Sequence, residues 1–373
     1  MSQLDTSNEE LADPGTSFSG PNATRIFLNA TDLYSRFAQS GHFQPNLKII
    51  NEIGSGLQGS IFEIVGESYV FKKESPGNEF RSSNLRREHK THCDVSTAFE
   101  GHSATSSLIH VPRPYKFISR IPGHQDSDVF WDEIFTNIPQ DYRTRGDVVT
   151  MGRILPLPKI VRKALITYFC GRGRDRDFSI TDIEFLLNNP SNKHCLARVY
   201  LGMTNGSIDS NTPAPLRNFP LNLGFMEEIE IDTHTLAREM GKAYATLHWG
   251  AATNGDDIEF VLGTSTLEQP GTSTTQFQQR AVGLYLLDFG QCKAVDLTQD
   301  SDVVYQAFKG AMVTGDNQLF IPHASTNPGL FATFKKGYID AGSIILSDKC
   351  LDDKFSLEDF MQEYEEYAED LVY

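Results

Sequence analysis

The chain is 373 residues long and 39% hydrophobic, with 25 phenylalanines, enough to bury one large core or two. Its formal net charge of −16 at pH 7 excludes non-specific DNA binding, which depends on clustered positive charge, and leaves a nucleic-acid partner only a local basic face. No apolar run approaches the roughly 18 residues of a membrane span. Residues 1–22 are polar and acidic, without a charged-then-apolar leader pattern. The expectation is a cytoplasmic protein with no membrane partner. The five cysteines, Cys93, Cys170, Cys195, Cys292 and Cys350, are scattered without a C-x-x-C pair, which suits a reducing compartment. His89, His92 and Cys93 lie close together, but a structural role outweighs a zinc site at that spacing, and no metal is expected.

In chain order, residues 1–25 read as a disordered N-terminus, and Thr31 to Phe37 as the start of a helix. The 45–155 stretch reads as a β-rich lobe. Ile49-Ile50-Asn51-Glu52-Ile53 leads into Gly54-Ser55-Gly56-Leu57-Gln58-Gly59-Ser60-Ile61, a full G-x-G-x-x-G-x-[VI] match, and Tyr69-Val70-Phe71-Lys72 follows a short turn. A strand after the glycines, rather than a helix, argues against a dinucleotide-binding turn. A glycine hairpin can close over a phosphate because no Cβ stands in the way, and a strand lysine can then pair with that phosphate. Gly54, Gly56, Gly59 and Lys72 are therefore a candidate binding set, although an ordinary glycine-rich hairpin with surface lysines fits them too. Asn84 to Phe99 reads as a helix whose Glu88 either pairs with Lys72 or faces solvent. Residues 101–147 read as loops around Trp131, before a strand near Val148 to Met151. Arg153-Ile154-Leu155-Pro156-Leu157-Pro158 reads as a hinge between lobes, since its prolines forbid a continuing helix.

The 156–350 stretch reads as mostly helical. Lys159 to Tyr168 is a helix, and Gly171-Arg172-Gly173-Arg174-Asp175-Arg176 is the most basic short tract, a phosphate or RNA contact if not a solvated loop. Thr233, after Asp232, reads as the cap of a helix whose Leu236, Met240, Ala243, Tyr244 and Leu247 form one apolar stripe. That helix ends near His248-Trp249-Gly250, and Asn254-Gly255 bends the chain into Asp256-Asp257-Ile258-Glu259. After Phe260-Val261-Leu262 and a polar insert, the strand Gly283 to Leu287 delivers Asp288-Phe289-Gly290. Helices at Asp302 to Met312 and Phe331 to Ala341 flank a loop at Asn317 to Pro328. The closing 351–373 segment, helical from Leu357 to Leu371 and rich in carboxylates, reads as a solvent-facing acidic tail.

Together, Gly54, Gly56, Gly59, Lys72, Glu88 and Asp288-Phe289-Gly290 resemble the protein-kinase and aminoglycoside-phosphotransferase fold. That resemblance implies an α+β, two-lobed, protein-kinase-like architecture with a small β-rich lobe and a larger, mostly helical one. More specifically, four stretches resemble a fungal family of unassigned domain function whose members often carry the label "zinc finger protein". They are Asn218-Phe219-Pro220-Leu221, Met226-Glu227-Glu228, Leu247-His248-Trp249 through Asp257-Ile258-Glu259-Phe260-Val261-Leu262-Gly263, and Leu286-Leu287-Asp288-Phe289-Gly290-Gln291-Cys292. The resemblance covers most of residues 45–345. The family includes the arginine-containing cyclodipeptide synthases of secondary metabolism, beside many uncharacterised members. It implies an enzyme that takes arginine from arginyl-tRNA and a second residue from another aminoacyl-tRNA, and releases a cyclic dipeptide.

Three readings stay open. An ATP-dependent phosphotransferase accounts for the glycines, Lys72 and Asp288, but lacks an aspartate two residues after the histidine, where Gly250 stands. A cyclodipeptide synthase would use Asp256, Asp257 and Glu259 as planar acceptors for a guanidinium, whose charge relieves their mutual repulsion. His248 would serve it as a base or merely cap its helix, and aminoacyl esters, already activated, need no ATP and no cofactor. Basic tracts at Arg86-Arg87, Arg143 to Arg145 and Arg172 to Arg176 would meet the tRNA. A catalytically inactive kinase-like interaction module is the third reading. The synthase leads: its expected catalytic set is His248, Asp256, Asp257, Glu259 and Asp288, its partners aminoacyl-tRNAs with arginyl-tRNA first, and no DNA. The second amino acid and the oligomeric state are left open.

Overall fold

Aromatic and β-branched residues around the glycine motif pair into a hairpin, Ile50–Ser55 (β1) with Gly59–Ile64 (β2), in the register Ile50 opposite Ile64 and Ser55 opposite Ser60. The structure is a computed structural model, and it describes residues 48–56, 58–75, 83–101, 108–170, 179–206, 216–266 and 280–371. The expected disorder of 1–25, the helix start at Thr31 to Phe37 and the basic tract Gly171 to Arg176 lie outside those residues.

Tyr69–Glu74 (β3) pairs antiparallel with β2, and the helix Ser83–Gly101 (α1) follows. The chain then makes Ile109–His110 (β4), Pro114–Ile118 (β5), the helix Gln125–Ile134 (α2) and Val148–Gly152 (β6). The first sheet has the order β1-β2-β3-β6-β5, entirely antiparallel. Its core holds Phe62, Phe71, Trp131, Ile134, Ile138 and Val148. The expected loops of 101–147 are thus corrected to two strands and a helix. Trp131 and Ile134, three apart on α2, cover a sheet face that would otherwise stay wet.

The C-terminal region is helical but built on a second sheet. Lys159–Leu165 (α3) continues through a π-turn at Ile166–Cys170, then Ile180–Asn188 (α4), Pro190–Lys193 (α5), Ala197–Tyr200 (β7) and Phe219–Asn222 (β8) follow. Next come Leu223–Glu228 (α6), Thr233–Ala245 (α7), Glu259–Thr266 (β9) and Arg280–Leu287 (β10). Ser301–Met312 (α8), Asn317–Phe320 (α9), Pro328–Asp348 (α10) and Leu357–Glu369 (α11) close the chain. The second sheet runs β4-β10-β9-β7-β8, with β4 parallel to β10 and β7 parallel to β8. Strands as short as β4, β7 and β8 carry too little periodicity to be told from helix or loop. The expected hinge at Arg153 to Pro158 is stitched down: Arg153, Leu155 and Leu157 donate to Ser68, Thr264 and Cys195 carbonyls at 3.0, 3.1 and 2.9 Å.

Two further expectations change. The cap of α7 is Asp232, whose carboxylate accepts the Thr235 amide at 2.9 Å, rather than Thr233. The acidic tail is a core helix: Leu357, Phe360, Met361 and Tyr364, at the i, i+3, i+4, i+7 positions, are all buried. Its outer carboxylates are tied down in part, Glu363 to Lys309 at 2.7 Å and Glu365 to Lys335 at 3.4 Å. All five cysteines are free thiols. Among the described residues no helix is long and apolar enough to cross a membrane.

The helices α7 and α10 cross closely, and a Cβ at Gly241 would overlap the Phe334 carbonyl. Gly241→Ala should therefore cost about 1–3 kcal/mol in denaturant titration. Gly329→Ala, facing open space on α10, should melt at or above the parent. Equal melting of the two variants would show that the crossing does not require a glycine.

Candidate active site

The first sheet, α1 and the end of β10 meet at one lysine. Lys72 Nζ lies 2.9 Å from Glu88 Oε1, 3.0 Å from Oε2 and 3.4 Å from Asp288 Oδ1. β3 holds the lysine opposite Ile61 and Val149, α1 supplies Glu88, and the backbone after β10 turns at Asp288. The Lys72 and Glu88 side chains are only 7% and 6% exposed. Burial by itself would lower the Lys72 pKa, yet Glu88 and Asp288 together raise it, so the lysine stays charged.

The glycine hairpin lies over the same place. Gly54, Gly56 and Gly59 all line a cleft of about 350 Å³ that also contains Lys72 and Asp288. Of the three, Gly59 is required by packing, because a Cβ there would overlap the Lys73 carbonyl, while Gly56 faces open space. Gln58 at the hairpin tip packs its amide on Gly290, and its Oε1 is buried without a hydrogen-bond partner.

Opposite the hairpin stand carboxylates. Asp257, just before β9, and Glu259, its first residue, both face the cleft, with Asp316 beside them. Glu259 pairs closely with Arg198 of β7, and Arg198 Nη1 reaches Asp316 Oδ2 at 3.1 Å. Arg198 Nε is buried without a partner. Burial pushes the Glu259 carboxyl up to about 7: Arg198 opposes the shift, and Asp288, Asp257 and Asp316 add to it. Asp257 is raised for the same reasons, burial first and then Asp288, Asp316 and Asp256. Three of the six non-glycine residues with positive φ line this cleft, Asn218, Asp257 and Asp288 at 51°, 58° and 63°. Asn and Asp tolerate that region better than most, and such turns concentrate at sites where side chains must be aimed.

Several expected site residues move. His248 cannot act as a base on a substrate: it is 0% exposed, stacked on Phe308 at 4.1 Å and hydrogen-bonded through Nδ1 to Tyr338 at 2.9 Å. Burial lowers its pKa to about 3, so it stays neutral in the core. The cause is the π-turn at Thr246–Gly250, which rotates His248 and Trp249 inward. Asp256 does not line the cleft, and its carboxylate lies 3.8 Å from Lys293. His92 accepts its place in the core, 2.5 Å from the Pro112 carbonyl and against Phe289. Among the described residues, no group of three or more His, Cys, Asp or Glu is placed to hold a metal ion.

The two described basic tracts make local contacts, although Arg86, Arg87 and Arg143 stay exposed. Arg86 covers the Phe117 ring at 4.6 Å, Arg87 donates to the Gly290 carbonyl at 3.2 Å and Arg145 pairs with Asp128 at 2.6 Å. Arg143 donates to the Ile138 and Thr136 carbonyls at 3.0 and 2.9 Å. Sequence reasoning missed Arg198, whose signal is a lone charge inside the apolar run Cys195 to Leu201, and Asp316, which carries none. No protein-family model matches the chain, and no curated protein matches it.

Two outcomes follow from this geometry. Lys72→Met strands Glu88 in the core and should cost about 3–5 kcal/mol in denaturant titration, much of it recovered by adding Glu88→Gln. Additive costs would show that the pair is not coupled. Glu259 has a folded pKa of about 7 against an ordinary 4.5, so the folded state binds its proton more tightly than the unfolded chain. Its contribution to stability is full below about pH 4.5 and is lost as pH rises through about 7. Glu259→Gln should flatten the stability curve across that window, and an unchanged slope would assign the effect elsewhere.

Proposed function

We propose that this chain is a cyclodipeptide synthase on a two-lobed, kinase-like scaffold, condensing arginine from arginyl-tRNA with a residue borne by a second aminoacyl-tRNA. One observation carries the reading. In the cleft Asp257, Glu259, Asp288 and Asp316 gather around Lys72 and Arg198, both already in ion pairs. Among the described residues Asp257 forms no ion pair; burial and then the neighbouring carboxylates raise its pKa against a partial offset from Arg198, and a bound guanidinium would relieve that repulsion. Leu247 to Gly263 and Leu286 to Cys292 resemble a fungal family that includes the arginine-containing cyclodipeptide synthases, which agrees with a cationic amino acid.

In this reading Asp257 holds the substrate guanidinium and Arg198 belongs to the site as a fixed counter-charge for Glu259 and Asp316. One α-amine attacks the ester carbonyl of the other residue. A C–N bond forms, the C–O bond to the RNA breaks, the amine gives up a proton and the RNA hydroxyl takes one. A second attack, by the remaining amine on the remaining ester, closes the ring and frees the second RNA. Both esters are activated at the outset, so the site has to position, accept a proton and return it. Glu259, with its carboxyl near neutrality, replaces His248 as the acid–base group.

A second reading is favoured by Lys72, Glu88 and Asp288 under the glycine hairpin: a kinase-like module that binds a nucleotide without phosphoryl transfer. Expression of the parent and Asp257→Asn in a heterologous host, with mass spectrometry for new arginine-containing diketopiperazines, separates the two. The parent should form product, and the variant should lose on the order of 2–5 kcal/mol of substrate binding while melting like the parent. A parent that forms none, yet is stabilised against heat by ATP and Mg²⁺, would put the nucleotide reading first.

A further inference from the structure

A second groove, of about 580 Å³, opens beside the cleft and shares Ile53, Arg153, His194 and Arg217 with it, so the two are continuous. Lys193 and Arg217 supply its outer positive charge. Lys193 stands outside every ion pair of the described residues, and exposed Arg217 makes one hydrogen bond, to Ser55 Oγ at 3.2 Å. At the junction Arg153 pairs with Glu63, neutralising one of the groove's two carboxylates, and the other, Glu52, accepts the Tyr142 hydroxyl at 3.1 Å. The Nε donors of Arg153 and, deeper in the cleft, Arg198 are buried without partners.

We infer that this groove carries the single-stranded 3′ end of the RNA to which the reacting amino acid is esterified, with Lys193 and Arg217 as its phosphate contacts. The inference rests on the synthase reading. Its physical basis is polarity. The cleft gathers Asp257, Glu259, Asp288 and Asp316, whereas in the groove Arg153, Lys193 and Arg217 outnumber Glu52 and Glu63, and the chain as a whole, at −16, repels a polyanion. An arginyl ester of RNA has the complementary order, a cation at the tip and phosphates behind it. Phosphates are turned back from Asp257, Asp288 and Asp316, so only the aminoacyl end goes in.

The test uses full-length protein and fluorescence anisotropy with an uncharged RNA hairpin ending in a single-stranded CCA overhang, against a blunt hairpin of equal charge. The overhang should bind more tightly than the blunt end. Lys193→Gln and Arg217→Gln should each weaken overhang binding on the order of tenfold and lower the log–log salt slope by about one. Lys336→Gln, far from the groove and paired locally with Asp340 at 3.0 Å, should leave binding unchanged. Equal binding of the two hairpins, or groove variants that bind like the parent, overturns the inference. The diketopiperazine assay on the same proteins keeps the two ideas apart. Product formation with unaltered RNA binding by the groove variants removes the groove and leaves the synthase. Overhang binding that depends on Lys193 and Arg217, without any diketopiperazine, keeps the groove and removes the synthase.

Discussion

The contact on which the rest depends is the buried pair of Lys72 and Glu88, with Asp288 at its edge. It joins the middle of the first sheet, the long helix α1 and the end of β10 in the second sheet. Desolvating two charges offsets much of their attraction, so the pair adds little net stability over an apolar packing of the same volume. Its effect is on specificity. Only one docking of α1 brings Glu88 to the lysine, and any other leaves an unpaired charge in the core. The same docking places Arg87 on the Gly290 carbonyl and His92 against Phe289, fixing the turn that aims Asp288 into the cleft.

The cleft is organised by a second compromise, between carboxylates that repel and an arginine that cannot satisfy them all. Arg198 holds Glu259 and Asp316 at once, which leaves Asp257 to the burial and like charges that raise its pKa. A site of this kind is preorganised for a cation without containing a free one. Had Arg198 been an apolar residue of β7, the three acids would spread or protonate, and the arrangement that the proposed function assigns to a guanidinium would be lost.

Much of this was legible in the sequence because local rules and tertiary packing agree there. The glycine spacing, the strand ending in Lys72 and the helix carrying Glu88 each have a strong local pattern, and the fold needs all three. Legibility ended where a side chain's direction depends on partners far along the chain. His248 sits at the end of the expected helix, but a single π-turn there points it into an aromatic cluster made by Phe308, Tyr338 and Phe360. The helix α11 is acidic enough to read as a tail, and only its four apolar residues at helical spacing disclose that it closes the core. Asp316 follows no pattern, since the short helix α9 after it is fixed by Asn317, whose side chain donates to the Gly255 and Ala311 carbonyls at 2.7 and 2.9 Å.

That bond from Asn317 also explains how the acidic loop and Asp316 come to act together. Gly255 begins the turn that sets Asp257 in its left-handed conformation, and Asn317 ties that turn to the segment carrying Asp316. Asp257 and Asp316 are therefore held across one buried hydrogen bond from two stretches sixty residues apart, while Glu259 is held by the register of β9 on β10. With His248 committed to the core, the carboxylates in the cleft to which the proposed function gives acid–base and recognition roles stand on strand ends and on this pinned turn. These are rigid supports, and catalysis that depends on positioning more than on a strong base needs supports of that kind.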